Sequence, residues 1–177
     1  AQCLVGSEMC IRDSVDYVPM DLSPERYRFC RCRKEDVTNL SFADNTFDVV
    51  LSNQVMEHIM DESKFLTELL RVLKPGGLFL LNFPVYMGLE KTFQDNSITS
   101  PEEREKYYGQ HDHVRAYGRD IFSRLKAQYN AEVIFAKDCF SKRRLAKMRI
   151  TNEMTDFCVI IRKQPPAGRA ADISLPR

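Results

Sequence analysis

Residues 35–84 read EDVTNLSFADNTFDVVLSNQVMEHIMDESKFLTELLRVLKPGGLFLLNFP. This stretch decides the fold, because it parses as strand end, loop, strand, helix, tight turn, strand. Phe47 to Leu51 (FDVVL) is a short apolar run without alternation, the pattern of a parallel strand covered on both faces. Asp61 is placed to cap the helix that follows, its carboxylate accepting from a first-turn N–H. Phe65, Leu66, Leu69, Leu70, Val72 and Leu73 fall on one helical stripe, opposite Glu62, Lys64, Glu68 and Arg71. Lys74 suits the negative end of the helix dipole, and Pro75-Gly76-Gly77 is expected to stop the helix and reverse the chain. Leu78 to Phe83 (LFLLNF) reads as a second buried strand. Two apolar strands joined by an amphipathic helix make a right-handed βαβ unit, the building block of a doubly wound sheet.

The ordered set DVTNLSFADNTFDVVLSNQVMEHI and LLRVLKPGG resembles the second half of the class I S-adenosylmethionine-dependent methyltransferase domain, in its type 11 branch. The resemblance covers roughly residues 16–163. It implies an α/β fold: a Rossmann-like, doubly wound, mostly parallel sheet with an antiparallel C-terminal hairpin. Arg119–Tyr129 as an amphipathic helix, Ala131–Ala136 as a strand and Phe157–Ile161 as a returning strand suit that hairpin. The same resemblance implies S-adenosylmethionine as cofactor and methyl transfer as the activity.

The implied cofactor residues follow one by one. Val15 to Met20 reads as a strand ending at Asp21, and in the family an acid there bonds the ribose hydroxyls of the cofactor; a turn or cap carboxylate is the other reading of Asp21. Asp36 and Val37 take the family's adenine positions, carboxylate to exocyclic amine and backbone N–H to ring nitrogen. Asn53 lies just past FDVVL, where a doubly wound sheet opens its crevice, and its backbone would face the amino-acid part of the cofactor.

Histidine supplies the candidate catalytic groups: His58, His111 and His113. His58 sits beside Val55, Met56 and Ile59, so packing competes with substrate contact as its role. His111 and His113 flank Asp112, compatible with general-base or metal duty, or with a network that orders the loop. Residues 88–117 have little apolar periodicity and form a lid-like insertion. Within it Ser100-Pro101-Glu102-Glu103 is a capping box that starts a short helix through about Tyr108.

Length and composition bound the rest. The 177 residues, 44% hydrophobic and 29% charged, suit one globular domain. A net charge of +1 offers no argument for nucleic acid or a charged membrane surface. The basic run Arg26–Lys34 (RYRFCRCRK) reads as a solvated connecting segment. No apolar run approaches the roughly 20 residues that span a bilayer, and no signal-peptide h-region opens the chain. A cytoplasmic location is the expectation. Six cysteines form no CxxC pair, so free thiols are expected and no metal site is assigned; Cys30 and Cys32 with a histidine are the alternative.

Residues 1–14 have neither period and read as a foreign-looking or disordered segment, residues 15–163 as the domain, and residues 164–177 as a flexible tail. The domain pattern departs from the family in one respect. Gly6 is the only glycine before Gly76, so the first strand and the glycine-rich turn that approaches the cofactor's methionine portion are lacking. The expectation is an N-terminally truncated fragment of a methyltransferase acting on a small-molecule acceptor, itself impaired in cofactor binding. A non-catalytic methyltransferase-like module serving as a protein partner is the alternative. Neither the acceptor atom nor the oligomeric state is legible.

Overall fold

The computed structural model describes residues 16–27, 31–150 and 154–165. The element order is β1 (Met20–Asp21), β2 (Arg33–Lys34), β3 (Phe47–Asn53), α1 (Glu62–Val72), β4 (Leu73–Asn82), α2 (Pro101–Tyr108), α3 (Asp120–Tyr129), β5 (Glu132–Phe135), α4 (Ala136–Cys139), α5 (Lys142–Met148) and β6 (Phe157–Arg162). Short 3₁₀ turns at Pro24–Arg26 and Met56–His58 join them. The expectations for residues 1–14, for Cys30 and for the tail past 165 lie outside the described residues.

β1 and β2 pair in parallel as a two-stranded ribbon. The main sheet runs β3-β4-β6-β5, with β3 and β4 parallel and the other two ladders antiparallel. The chain is therefore a Rossmann-like α/β domain with a mixed sheet. FDVVL and LFLLNF are parallel neighbours, as the central stretch implies, and the C-terminal hairpin closes the sheet antiparallel.

Register explains where the core lies. Val50 pairs with Phe79 and Ser52 with Leu81, while Phe79 and Leu81 face Ile161 and Val159 on the other side. All of these are buried. The apolar ones meet Phe65, Leu66, Leu69 and Val72 of α1 and Ile121 and Leu125 of α3 in one cluster. The opposite face differs. Val49 is 49% and Leu51 58% exposed, so FDVVL is covered on one face rather than two. Period-two burial cannot be read from a run in which both sets of positions are apolar. β3 pairs with β4 alone among the described strands.

Local signals account for the helix ends. The Asp61 carboxylate accepts from the Lys64 N–H at 2.9 Å, and the Ser100 hydroxyl accepts from the Glu103 N–H at 3.2 Å. The second bond belongs to the capping box, whose Glu103 carboxylate lies 3.2 Å from the Ser100 hydroxyl. The turn expected at Pro75-Gly77 is instead a bulge inside β4, which begins at Leu73 directly after the helix. The Gly76 N–H donates to the Lys163 carbonyl and the Lys163 N–H to that of Gly77, so pairing with the chain after β6 keeps this segment extended. A Cβ on Gly77 would stand 2.8 Å from the Asp48 carbonyl oxygen, a contact only glycine permits. Lys74 turns to Asp48 at 2.7 Å instead of the helix terminus.

Two further boundaries shift, and a basic helix lies beyond both in the chain. The strand expected from residue 15 to Met20 is only Met20–Asp21 within the described residues. The basic segment at Ser141–Lys147 is a helix, α5, with Ser141 capping the Arg144 N–H. Basic residues are good helix formers, and a capped start outweighs the lack of an apolar stripe. The end of the 88–117 segment, Val114–Tyr117, is buried rather than lid-like. There Tyr117 bridges to Val85, and Ala116 to Phe93, alongside the chain that continues β4.

Candidate functional site

The carboxyl ends of β3 and β4 are stitched to the start of β6. The Gln54 N–H donates to the Asn82 carbonyl at 2.9 Å, and its side-chain amide to the Asn82 Oδ1 at 2.8 Å. The Asn82 amide then reaches the carbonyls of Thr155 and Phe157. Gln54 adopts φ 55, left-handed backbone that a non-glycine residue takes at some cost and that clusters at functional sites. The chain thereby leaves the sheet abruptly into the Met56–His58 turn.

Arg115 pins that turn. Its Nη1 donates to the carbonyls of Met56 (3.1 Å) and Ile59 (2.6 Å), its Nη2 to Met60 (2.7 Å) and its Nε to Gln94 (2.9 Å). The Val114 N–H donates to the Glu57 carbonyl at 3.0 Å. A guanidinium suits this task because its rigid fork satisfies several carbonyls that would otherwise be buried unpaired. The result is a fixed backbone at Glu57 and His58, with His113 brought beside them by the returning chain.

These three side chains form one cluster. Glu57 is 1% exposed, and neither of its carboxylate oxygens has a hydrogen-bond partner. Burial pushes its pKa up to about 7. The His58 Nε2 lies 3.9 Å from Glu57 Oε1. The His58 and His113 rings meet edge to face with centroids 4.8 Å apart. Burial, aided by His58, lowers the His113 pKa. Asp112 lies 3.5 Å from the His58 Nδ1. Burial opposes its ionisation, but the Gln110 amide and the neighbouring imidazoles hold its carboxyl below the usual range.

The cluster lines a cavity of about 530 Å³ together with Gln54, Pro84, Tyr86 and Gly109. Gly109 ends α2 at φ 84, and the Tyr86 hydroxyl occupies the space a Cβ there would need. A second cavity, about 730 Å³, opens between the start of α1 and α3. Its charges are already paired: Arg124 with Glu62 at 3.2 Å and with Asp120 at 3.4 Å, and Asp120 with Thr92. The first cavity, by contrast, holds the buried and unpartnered carboxylate of Glu57.

The candidates from the sequence distribute unevenly. His58 and His113 come together in the cavity, and His111 stands exposed outside it. Asp21 and Asp36 both lie at the carboxyl end of the β1–β2 ribbon, since Asp21 pairs with Lys34 and Asp36 follows two residues on. Each closes its own turn. Asp21 accepts from the Ser23 N–H (2.7 Å) and the Tyr27 hydroxyl (2.9 Å), and Asp36 from the Thr38 N–H and hydroxyl. Val37 is half-buried and Asn53 exposed at the carboxyl end of β3. None of these four lines either cavity. Glu57 and Arg115 went unread in the sequence. The only signal was a glutamate preceding His58 and an arginine following the His111–His113 run.

Residues 7–81 match the family described as "Methyltransferase domain". An uncharacterized methyltransferase of Mycobacterium sp. (strain KMS) is 34% identical over 91 residues, 49% of this chain and 36% of that protein. One from Schizosaccharomyces pombe is 45% identical over 56 residues, 32% of this chain and 20% of that protein. The chain thus matches about a third or less of the length of these relatives. Among solved structures, a SAM dependent methyltransferase from Archaeoglobus fulgidus superposes with a TM-score of 0.58 at 14% identity, covering 89% of this chain and 80% of that one. The complex of the Haloferax volcanii Trm112 methyltransferase activator with a methyltransferase gives 0.58 at 15% identity, covering 92% and 79%. Both likenesses concern the fold. Residues 7–81 thus carry the match to a methyltransferase domain, and the fold is the Rossmann-like fold of the S-adenosylmethionine-dependent methyltransferases it superposes on.

Proposed function

We propose that this domain transfers a methyl group from S-adenosylmethionine to a small-molecule acceptor seated in the 530 Å³ cavity. The observation that carries the reading is the cavity's position. It opens directly beyond the carboxyl ends of β3 and β4, where open α/β sheets bind ligands, and it contains a buried, unpartnered carboxylate beside a pair of imidazoles.

The nucleoside half of the cofactor fits the residues present. Asp21 and Asp36 stand at neighbouring strand ends, and a carboxylate that already accepts two bonds keeps lone pairs for a ribose or an amine. Val37 would supply a backbone N–H, and Asn53 backbone groups toward the amino-acid end. No glycine-rich turn precedes Gly76, so backbone donors for that end are few and affinity for the cofactor is expected to be weak.

When bound, the cofactor supplies a methyl group on a sulfonium that is already a good leaving group. The chain's contribution is then to align the acceptor and exclude water. An oxygen or nitrogen acceptor also loses a proton, and His58 and His113 are the cavity groups placed to influence where it goes. His111 lies outside the wall and takes a lesser part. Charge balance supports a small molecule over nucleic acid as acceptor.

Calorimetric titration with S-adenosylhomocysteine, followed by transfer of labelled methyl into a small-molecule extract, tests the reading. Saturable binding that weakens in Asp21→Ala and Asp36→Ala supports it. Absence of both binding and transfer would overturn it.

A further inference from the structure

We propose that Glu57, His58 and His113 form a site for one divalent transition-metal ion of the zinc type, with an open coordination position facing the cavity.

Each of the three residues offers one ligand atom, and these atoms lie within 4.8 Å of one another. Their chemistry converges on a cation. The His58 Nδ1 lies 3.3 Å from the Asp112 carbonyl oxygen and 3.5 Å from its carboxylate. The His113 Nδ1 lies 3.3 Å from the Tyr108 carbonyl oxygen. In both rings, therefore, the proton belongs on Nδ1, where an oxygen accepts it, and Nε2 presents a lone pair. Metal-binding histidines are held in this way, one nitrogen on an oxygen and the other on the ion.

Glu57 adds the second, independent observation. Its carboxylate is 1% exposed and no donor reaches either oxygen. The His58 Nε2, 3.9 Å from the carboxylate, carries a lone pair and cannot donate, and the His113 ligand atom lies within 4.8 Å, so acceptors of three side chains gather with nothing between them to satisfy all three. A buried polar group without a partner is costly, and a shared cation removes the cost for all three at once. The arrangement is also held in place beforehand, since Arg115 and the Val114 N–H fix the backbone at Glu57.

The ligand set selects the class of ion. Two imidazoles and one carboxylate suit zinc or its neighbours and not calcium or magnesium, which prefer oxygen throughout. Three protein ligands with the fourth position open is the pattern of a catalytic rather than a structural zinc. Ligand distances of about 2.0–2.2 Å require the three side chains to draw in slightly from their present spacing. A hydroxyl or carboxylate of an acceptor could then occupy the open position. That use rests on the cavity being the acceptor site; the binding of the ion does not.

The whole chain, stripped with a chelator, would be dialysed against zinc and its metal content measured. Cobalt would be added in a parallel sample for its visible absorption, which reports coordination. We expect one ion per chain, loss of that ion in Glu57→Gln and in His58→Ala, and retention in His111→Ala. His58 is partly exposed, so its variant is expected to keep the fold, which far-ultraviolet circular dichroism checks. No stoichiometric binding by the wild type would overturn the proposal. So would zinc that survives both cluster variants and is lost in Cys30→Ser/Cys32→Ser. Neither measurement uses the cofactor, so a chain that binds zinc but no S-adenosylhomocysteine keeps this site and loses the methyl-transfer reading, and the reverse outcome separates them equally.

Discussion

The Nη2 of Arg115 donates to the carbonyl oxygen of Met60 at 2.7 Å, joining the end of the 88–117 segment to the turn that follows β3. Together with the bonds to Met56 and Ile59, this makes a 2% exposed arginine the anchor of the Glu57–His58 backbone. Arg115→Lys keeps the charge but reaches fewer carbonyls, leaving buried acceptors unpaired. Charged hydrogen bonds of this kind contribute about 1.5–3 kcal/mol each, so a loss of about 3 kcal/mol is expected. Urea unfolding measures it; an unchanged midpoint would show that the turn holds without the arginine.

Glu57 makes the metal-free chain less stable as pH rises. Its folded pKa, about 7, stands above the 4.5 of the exposed group, because burial opposes the charged form. The penalty is absent below pH 4.5, grows as pH climbs from there to about 7, and is constant above. The shift corresponds to about 3 kcal/mol by linkage. In the presence of a chelator, Glu57→Gln is expected to raise the melting temperature at pH 8 and to change it little at pH 5. A pH-independent difference between the two proteins would contradict the burial.

Glu68 acts with the opposite sign. Hydrogen bonds from Arg71, chiefly, and from the Leu40 N–H hold its carboxyl below the usual range. A depressed folded pKa contributes stability that is present above the unfolded value of 4.5 and is lost as pH falls through the folded one. Glu68→Gln should therefore unfold more readily than wild type at neutral pH, with the gap closing under acid. Thermal melts between pH 3 and pH 7 give the answer.

Leu51 projects from the open face of β3 at 58% exposure. Leu51→Lys is expected to change stability by no more than about 0.5 kcal/mol and to reduce self-association, since exposed apolar strands at an edge invite pairing. Analytical ultracentrifugation beside a denaturant curve checks both. A large destabilisation would mean that this face is covered in solution.

Much of the architecture is local chemistry and was legible without coordinates. Asp61 and Ser100 announce helix starts because a side-chain oxygen followed by free N–H groups is a capping site wherever it occurs. The stripe from Phe65 to Val72 has one apolar face whatever packs on it, and the strand-helix-strand order of residues 47–82 leaves few alternatives to parallel pairing. Tertiary structure decided the site. His111 and His113 have the same neighbour and similar surroundings in the chain, yet only His113 is turned inward, because its backbone follows the return of residues 113–117 against the chain beyond β4. Glu57 looks like any surface glutamate until Val114 and Arg115 close over it. Burial, and with it the unpartnered carboxylate, arises from contacts between distant segments, which no local pattern of residues records.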